Sequence, residues 1–225
     1  MKTQLQIRVA FRFALRSAFV AVALAVMGCS STPPVHLYLG FDASRSTRPH
    51  LGGYAELAVS IVEHAQPGSD SLTMYRVDAE CREFHDGPVP DSAESFIPPL
   101  VNDLHDMPDR DCTYPARFWT EVARRTEADT RPVAIAYLSD GDNDDFRAAS
   151  AHAIRTAAAH IAANPRVVAV AVIGAAPANF AALRRDLAPL EGRLMLVDAA
   201  EASSLSCTGS FVNKLDTARR QEETK

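Results

Sequence analysis

The sequence contains no apolar run long enough to cross a membrane as a helix. Near the N-terminus the apolar run covers residues 18–27, well short of the roughly 20 residues that a spanning helix needs. Residues 1–28 also lack any acid, while Lys2, Arg8, Arg12 and Arg16 precede the apolar run. A basic stretch followed by a short apolar one predicts a secretory signal over residues 1–28 rather than a transmembrane helix.

The apolar run ends at Gly28-Cys29, which resembles the lipobox of bacterial lipoproteins. The resemblance implies that Cys29 is lipidated and becomes the mature N-terminus, with residues 29–34 as a short tether to the lipid bilayer of the cell envelope. Ser30 after the cysteine implies the outer membrane, by the sorting rule of enteric bacteria. An ordinary cleaved signal, or an uncleaved anchor with an incidental cysteine, is the alternative.

The chain also lacks the basic excess of a nucleic-acid-binding protein. Its formal net charge is −5 at pH 7, and loss of a purely basic signal segment would make the mature chain more negative. An acidic surface repels phosphate backbones, so nucleic acid is not an expected partner. The length that remains suits one domain with a sizeable core.

Several motifs of enzymes and metal sites are missing. The histidines do not follow the spacing of a zinc site, and there is no glycine-rich phosphate loop and no Gly-x-Ser-x-Gly nucleophile elbow. Asp140, Asp142 and Asp144 alternate as at the start of a calcium-binding loop. Such a loop would need glycine at Asp145 and glutamate at Ala151. We therefore interpret Asp142 and Asp144 as solvated acids near a helix N-terminus.

What the sequence does contain is an alternation of apolar runs and amphipathic segments. Strands are predicted at residues 35–41, 72–77, 81–85, 133–138, 167–173 and 193–197. Because most of these are continuously apolar and are separated by helical patterns, the sequence predicts an α/β fold with a doubly wound, mostly parallel sheet and helices on both faces. The more polar segment 81–85 follows a short turn, which indicates an antiparallel edge strand.

The predicted domain covers residues 35–218, and residues 219–225 are predicted to be a polar tail. Six prolines fall within residues 86–115, which predicts an irregular segment with one short helix over residues 92–96. A further helix is predicted to begin at Pro115.

Polar side chains alternate directly after the first predicted strand, at Asp42, Ser44 and Ser46. In an extended or gently looping backbone, alternate side chains point the same way. One carboxylate and two hydroxyls suit Mg²⁺ or Mn²⁺ better than zinc. Taken alone, the pattern is also typical of a strand exit followed by a helix cap.

Two further features lie downstream. Asp140, within Ser139-Asp140-Gly141, follows the fourth predicted strand, and Thr113 precedes the helix at Pro115. In a doubly wound sheet the functional groups gather at the carboxyl ends of the strands. We therefore expect Asp42 and Asp140 to lie at the same edge of the sheet.

In this combination and order, the features resemble a von Willebrand factor type A (vWA) domain with a metal-ion-dependent adhesion site, over roughly residues 35–215. The resemblance implies a Rossmann-like fold. It also implies a divalent cation, Mg²⁺ or Mn²⁺, held directly or through water by Asp42, Ser44, Ser46, Thr113 and Asp140. One position on such an ion would stay open for the carboxylate of a protein partner.

Thr113 is the point at which the chain departs from the family, which usually has glycine where Cys112 stands. Other threonines follow at Thr120, Thr126 and Thr130, but Thr120 falls in the middle of a predicted helix, far from a strand end. Cys81 opens the edge strand at the end towards which Cys112 is predicted to approach. A bridge between these two would close a loop of about 30 residues and stabilise the fold by about 3 kcal/mol, leaving Cys207 as the odd cysteine, either buried or paired between molecules.

Three functions are compatible with the sequence. The first is a membrane-anchored module that binds a partner protein, for adhesion or as a scaffold, and is not an enzyme. The second is a metal-dependent phosphohydrolase, because strand-end aspartates with Mg²⁺ also serve phosphoryl transfer; Ser44, however, stands where a second carboxylate would be expected. The third is a scaffold that keeps the fold and binds no metal.

Overall fold

The computed structural model of the chain describes residues 33–105, 112–144, 148–202 and 206–223. The predicted signal segment, Cys29 and most of the predicted tether lie outside these ranges. Within them, no helix has both the length and the apolar character needed to cross a membrane.

The described residues contain six strands: β1 (His36–Asp42), β2 (Ser71–Val77), β3 (Cys81–Pro88), β4 (Val133–Leu138), β5 (Val167–Ile173) and β6 (Leu194–Val197). They form a single sheet in the order β3-β2-β1-β4-β5-β6. Every neighbouring pair is parallel except β2 and β3. This confirms the predicted mostly parallel sheet with one antiparallel edge strand, and the bounds of β4 and β5 are those predicted.

Seven α-helices lie within the same described ranges: α1 (Leu51–Val62), α2 (Ala93–His105), α3 (Pro115–Glu127), α4 (Ala148–Ala163), α5 (Phe180–Asp186), α6 (Ala199–Ala202) and α7 (Ser206–Glu223). Buried side chains of α1, α2 and α7 pack on one face of the sheet, and those of α3, α4 and the segment that follows α5 pack on the other. The sheet is therefore covered on both faces, as its apolar strands require.

The side chains of β1 show how one strand serves both core layers. Leu37, Leu39 and Phe41 belong to the cluster under α1, α2 and α7, while Tyr38 belongs to the cluster under α3 and α4. All residues of β1 are buried. Because successive side chains of a strand point to opposite faces, a strand buried on both sides must be apolar nearly throughout.

Gly40, in β1, allows α3 to lie close to the sheet. A methyl group at Gly40 would lie 2.7 Å from the ring of Phe118 and 2.9 Å from that of Tyr137. The two rings stack over the glycine with their centroids 4.9 Å apart. Because Phe118 belongs to α3, this contact holds the start of α3 beside the carboxyl end of β1.

The prediction of an irregular segment with a short helix was wrong for α2, which is longer and continues through Pro98 and Pro99. Ile97, Val101 and Leu104 are buried at helical spacing. Packing of this apolar face against the sheet stabilises a helix that the two prolines alone would disfavour.

The prediction of a polar tail from residue 219 was also wrong. The helix α7 continues to Glu223, and Arg219 is only 6% exposed. The guanidinium of Arg219 donates a hydrogen bond to the buried carboxylate of Asp70. The local sequence here is almost entirely polar, and it carries no signal of a partner 149 residues away.

Candidate functional site

The carboxyl edge of the sheet brings together three segments of the chain. β1 and β4 end level with each other, because Phe41 pairs with Leu138. Asp42 is the last residue of β1, and Asp140 comes two residues after the end of β4. Thr113 lies just before α3, and its hydroxyl reaches Asp42. The segments that the sequence predicts to meet are therefore neighbours in the fold.

Asp42 lies at the centre of this edge and is fully buried. Its Oδ1 accepts hydrogen bonds from the amide of Ser44 at 3.0 Å and from Oγ1 of Thr113 at 3.0 Å. Its Oδ2 accepts a hydrogen bond from Oγ of Ser139 at 2.7 Å. The carboxylate is thus held by its own loop, by the loop before α3 and by the end of β4.

Ser44 and Ser46 extend the oxygen surface outwards from Asp42. Ser44 is buried and Ser46 is exposed, and their Oγ atoms are 3.2 Å apart. The alternation read in the sequence therefore places two hydroxyls in contact, one beside the buried carboxylate and one at the surface.

Thr47 is a residue of this site that the sequence analysis did not identify. It is fully buried, and its Oγ1 donates a hydrogen bond to the main-chain oxygen of Asp42 at 2.7 Å. The same atom lies 3.2 Å from Oγ of Ser44. Thr47 therefore holds the loop that carries the first two predicted ligands. The position of Thr47 in the sequence, directly after Ser44 and Ser46, could have indicated a role in the site. A threonine in a polar loop is usually exposed, however, so the sequence alone did not single it out.

Asp140 is held through its main chain, and its partly exposed side chain, at the sheet edge, accepts a hydrogen bond from the amide of Asp142 at 2.9 Å. Its main-chain oxygen accepts hydrogen bonds from the amide of Ala176 at 2.7 Å and from Nδ2 of Asn179 at 3.1 Å. The next residue, Gly141, has φ +78°, and a Cβ there would lie 2.9 Å from Cδ1 of Leu183. Glycine is therefore required for the turn that follows Asp140.

The electrostatics of the edge are set by two neighbouring carboxylates. Burial raises the pKa of Asp42 to about 6; the hydrogen bonds from Ser139 and Ser44 act in the opposite direction, and the charge of Asp140 raises the pKa further. Burial and repulsion of this kind disfavour the ionised carboxylate, and a divalent cation would relieve both effects.

The donor set fits a hard divalent cation. Asp42, Ser44, Ser46, Thr113 and Asp140 all carry oxygen donors, which Mg²⁺ and Mn²⁺ prefer. Across the described ranges, no three His, Cys, Asp or Glu side chains are grouped so that they could hold a metal ion. The candidate site relies instead on two carboxylates and three hydroxyls, and metal binding there stays a prediction.

The two acids after Asp140 behave differently from each other. Both Asp142 and Asp144 are exposed, as expected. Oδ1 of Asp142 accepts a hydrogen bond from the amide of its neighbour Asn143 at 3.1 Å. Oδ2 of Asp144 instead accepts the amide of Thr113 at 2.7 Å, from another loop. The interpretation of both acids as merely solvated is therefore wrong for Asp144.

The predicted bridge between Cys81 and Cys112 is absent from the structure, in which both are free thiols. Cys81 packs against the cluster beneath α3 and α4, and burial raises the pKa of its thiol to about 12. A thiol that stays protonated reacts slowly in disulfide exchange. The side chain of Cys207 lies outside the described part of the chain.

Comparison with protein-family models and with curated proteins finds no match, whereas several solved structures are similar. The conserved hypothetical protein BatB from Bacteroides thetaiotaomicron is 15% identical with a TM-score of 0.58, over 83% of this chain and 99% of that one. An aerotolerance-related membrane protein from Bacteroides fragilis is 16% identical with a TM-score of 0.55, over 80% and 99% of the two chains. A von Willebrand factor type A structure from Catenulispora acidiphila is 15% identical with a TM-score of 0.57, over 81% of this chain and 42% of that one.

The chain therefore has the von Willebrand factor type A fold. The sheet order, the single antiparallel edge strand and the helices on both faces agree with this assignment. At these identities the likeness is one of fold, so the function is argued below from the residues of the site.

Proposed function

We propose that this chain is a lipid-anchored, protein-binding module of the bacterial cell envelope, and that it uses Mg²⁺ or Mn²⁺ to engage a carboxylate of its partner. The environment of Asp42 carries the proposal. This carboxylate is fully buried, accepts hydrogen bonds from the hydroxyls of Thr47, Thr113 and Ser139, and is close enough to Asp140 to feel its charge. A buried carboxylate beside a second carboxylate is unfavourable in free energy when no cation is present. A divalent cation between them would offset their charges and make the arrangement favourable.

The five predicted ligands would hold the cation directly or through water. Once bound, the cation would supply a Lewis-acidic position for an oxygen ligand. The two carboxylates would balance the formal charge of the cation, and the hydroxyls would add donors without adding negative charge. The bound cation would therefore still attract an anionic oxygen from outside the site. Thr47 and Ser139 orient Asp42 for this purpose through their hydrogen bonds.

A binding role is favoured over phosphoryl transfer by the position of Ser44. A phosphohydrolase of this type would need a second carboxylate there to act on the substrate or on water. The hydroxyl of Ser44 lies instead 3.2 Å from those of Ser46 and Thr47. These contacts suit a fixed ligand surface rather than a general base.

The anchoring part of the proposal predicts a lipid at Cys29. Intact-mass analysis of the protein from a bacterial membrane fraction should find an N-terminus at Cys29, heavier than the bare peptide by the mass of the acyl groups. Cys29→Ala should release the protein from the membrane fraction. An unmodified N-terminus at any other residue would contradict the lipoprotein assignment.

The binding part predicts a partner that is captured only in the presence of a divalent cation. The soluble chain from Ser30 onward, immobilised and exposed to cell-envelope extract, should retain this partner in millimolar Mg²⁺ and lose it in EDTA. Asp140→Ala should lose the partner even in Mg²⁺, because it removes one of the two carboxylates that hold the ion. A purified partner should lose binding on replacement of a single Asp or Glu.

Asp142→Ala is the matched control for this experiment. It removes the same charge from the same loop, but the carboxylate that it removes accepts the neighbouring amide of Asn143 and is not one of the five predicted ligands, so capture should change little. Capture that persists unchanged in EDTA and in Asp140→Ala would show that the partner binds elsewhere on the domain.

A further inference from the structure

Two loops at the sheet edge are joined by a pair of reciprocal hydrogen bonds between Thr113 and Asp144, which we call the 113–144 clasp. Oδ2 of Asp144 accepts the amide of Thr113 at 2.7 Å, and the main-chain oxygen of Thr113 accepts the amide of Asp144 at 3.1 Å. The hydroxyl of Thr113 donates to Oδ1 of Asp42 at 3.0 Å. All three polar groups of Thr113 are thus engaged, two of them by Asp144.

The two members of the clasp differ in burial. Thr113 is 1% exposed, whereas Asp144 lies at the surface. An exposed carboxylate therefore satisfies a buried amide, and a buried amide without an acceptor is unfavourable. Loss of the carboxylate would leave that amide unpaired or would let the loop before α3 shift. Either result would disturb the hydroxyl that Thr113 directs at Asp42.

We propose that Asp144 is a positioning residue of the cation site, holding Thr113 so that its hydroxyl is in place before the cation binds. This inference rests on the proposed cation site and adds to it a residue outside the predicted ligand set. Hydrogen bonds from outside the ligand set that orient metal ligands affect metal affinity strongly. Asp144 would act through Thr113 and would not itself contact the ion.

The chain offers a matched control for the charge of Asp144. Asp142 lies in the same loop, is also exposed, and carries the same charge, but its carboxylate accepts the amide of Asn143 rather than that of Thr113. Asp142→Ala and Asp144→Ala therefore remove equal charge, and only the second removes an acceptor from Thr113. Asp144→Asn removes the charge but keeps a side-chain oxygen that can accept the amide.

The test uses the chain from Ser30 onward with two readouts. The first is Mn²⁺ affinity, measured from the electron paramagnetic resonance signal of free Mn²⁺. Asp144→Ala should weaken binding by about tenfold or more relative to Asp142→Ala, and Asp144→Asn should restore it to the level of Asp142→Asn. The second readout is amide hydrogen exchange at Thr113 without metal, which Asp144→Ala should accelerate and Asp144→Asn should leave close to wild type.

The outcomes separate this inference from the proposed function. If the wild-type chain binds Mn²⁺ and the two alanine variants weaken binding equally, Asp144 acts only by its charge and the positioning role is overturned. Unchanged exchange at Thr113 in Asp144→Ala would overturn it as well. If the wild-type chain binds no Mn²⁺, the proposed cation site itself fails, and with it any role of Asp144 towards a cation.

Discussion

Replacement of Asp42 with alanine is expected to abolish the stabilisation that Mg²⁺ gives to the wild-type domain. A cation that binds only the folded state raises the free energy of unfolding by RT ln(1 + [L]/Kd), which is about 2.7 kcal/mol at a concentration of 100 Kd. For a domain of this size, that corresponds to a rise in the thermal midpoint of about 5 to 10 °C. We expect Asp42 to account for the whole effect because it is the fully buried carboxylate of the predicted ligand set, and the hydroxyls of Thr113 and Ser139 donate hydrogen bonds to it.

The measurement is thermal unfolding of the chain from Ser30 onward, followed by circular dichroism at increasing Mg²⁺ or Mn²⁺. Asp142→Ala changes the net charge by the same amount and should keep the metal-dependent rise. Equal responses of the wild type and Asp42→Ala to the metal would mean that the cation binds elsewhere or not at all.

The second large effect is expected at the opposite end of the sheet, in the buried ion pair between Arg219 and Asp70. Arg219→Met should lower the free energy of unfolding by about 3 to 5 kcal/mol, because it leaves a buried carboxylate without its cation. Asp70 is completely buried, and its Oδ1 also accepts the amide of Val35 at 2.8 Å, where the chain enters β1. Denaturant unfolding of wild type and variant would measure the difference.

Arg220→Ala provides the control for this prediction. Arg220 is exposed on α7, and its Nε donates to the main-chain oxygen of Asp216 within the same helix, so its loss should cost less than about 1 kcal/mol. If the large effect comes from the unpaired carboxylate, Arg219→Met combined with Asp70→Asn should be more stable than Arg219→Met alone. A cost for Arg219→Met no greater than that of Arg220→Ala would contradict the argument.

The sheet could be predicted from local pattern because its strands carry that pattern strongly. β4 and β5 are continuous apolar runs, and their predicted bounds are those observed. Strands linked through helices run parallel, so their carboxyl ends fall at one edge. From this rule alone Asp42 and Asp140 could be expected at the same edge, and the structure places them there.

The segments that were predicted wrongly are those whose state depends on distant packing. Pro98 and Pro99 disfavour a helix locally, yet α2 forms because its apolar face is buried against the sheet. The polar residues at the end of α7 resemble a tail in sequence, and Arg219 becomes a core residue only because Asp70 lies opposite. The helix propensity of the local sequence contributes little to the free energy of folding compared with such burial.

The sequence by itself determined the order of the strands and of the helices between most of them, the fold class and the sheet edge at which Asp42 and Asp140 lie, because periodicity and chain connectivity are local properties. Only the tertiary structure decided how the site is held together. Asp42 and Ser139 are 97 residues apart, and Thr113 and Asp144 are 31 apart. Hydrogen bonds over such separations have no periodic signature in sequence, since they exist only once the strands and loops have packed.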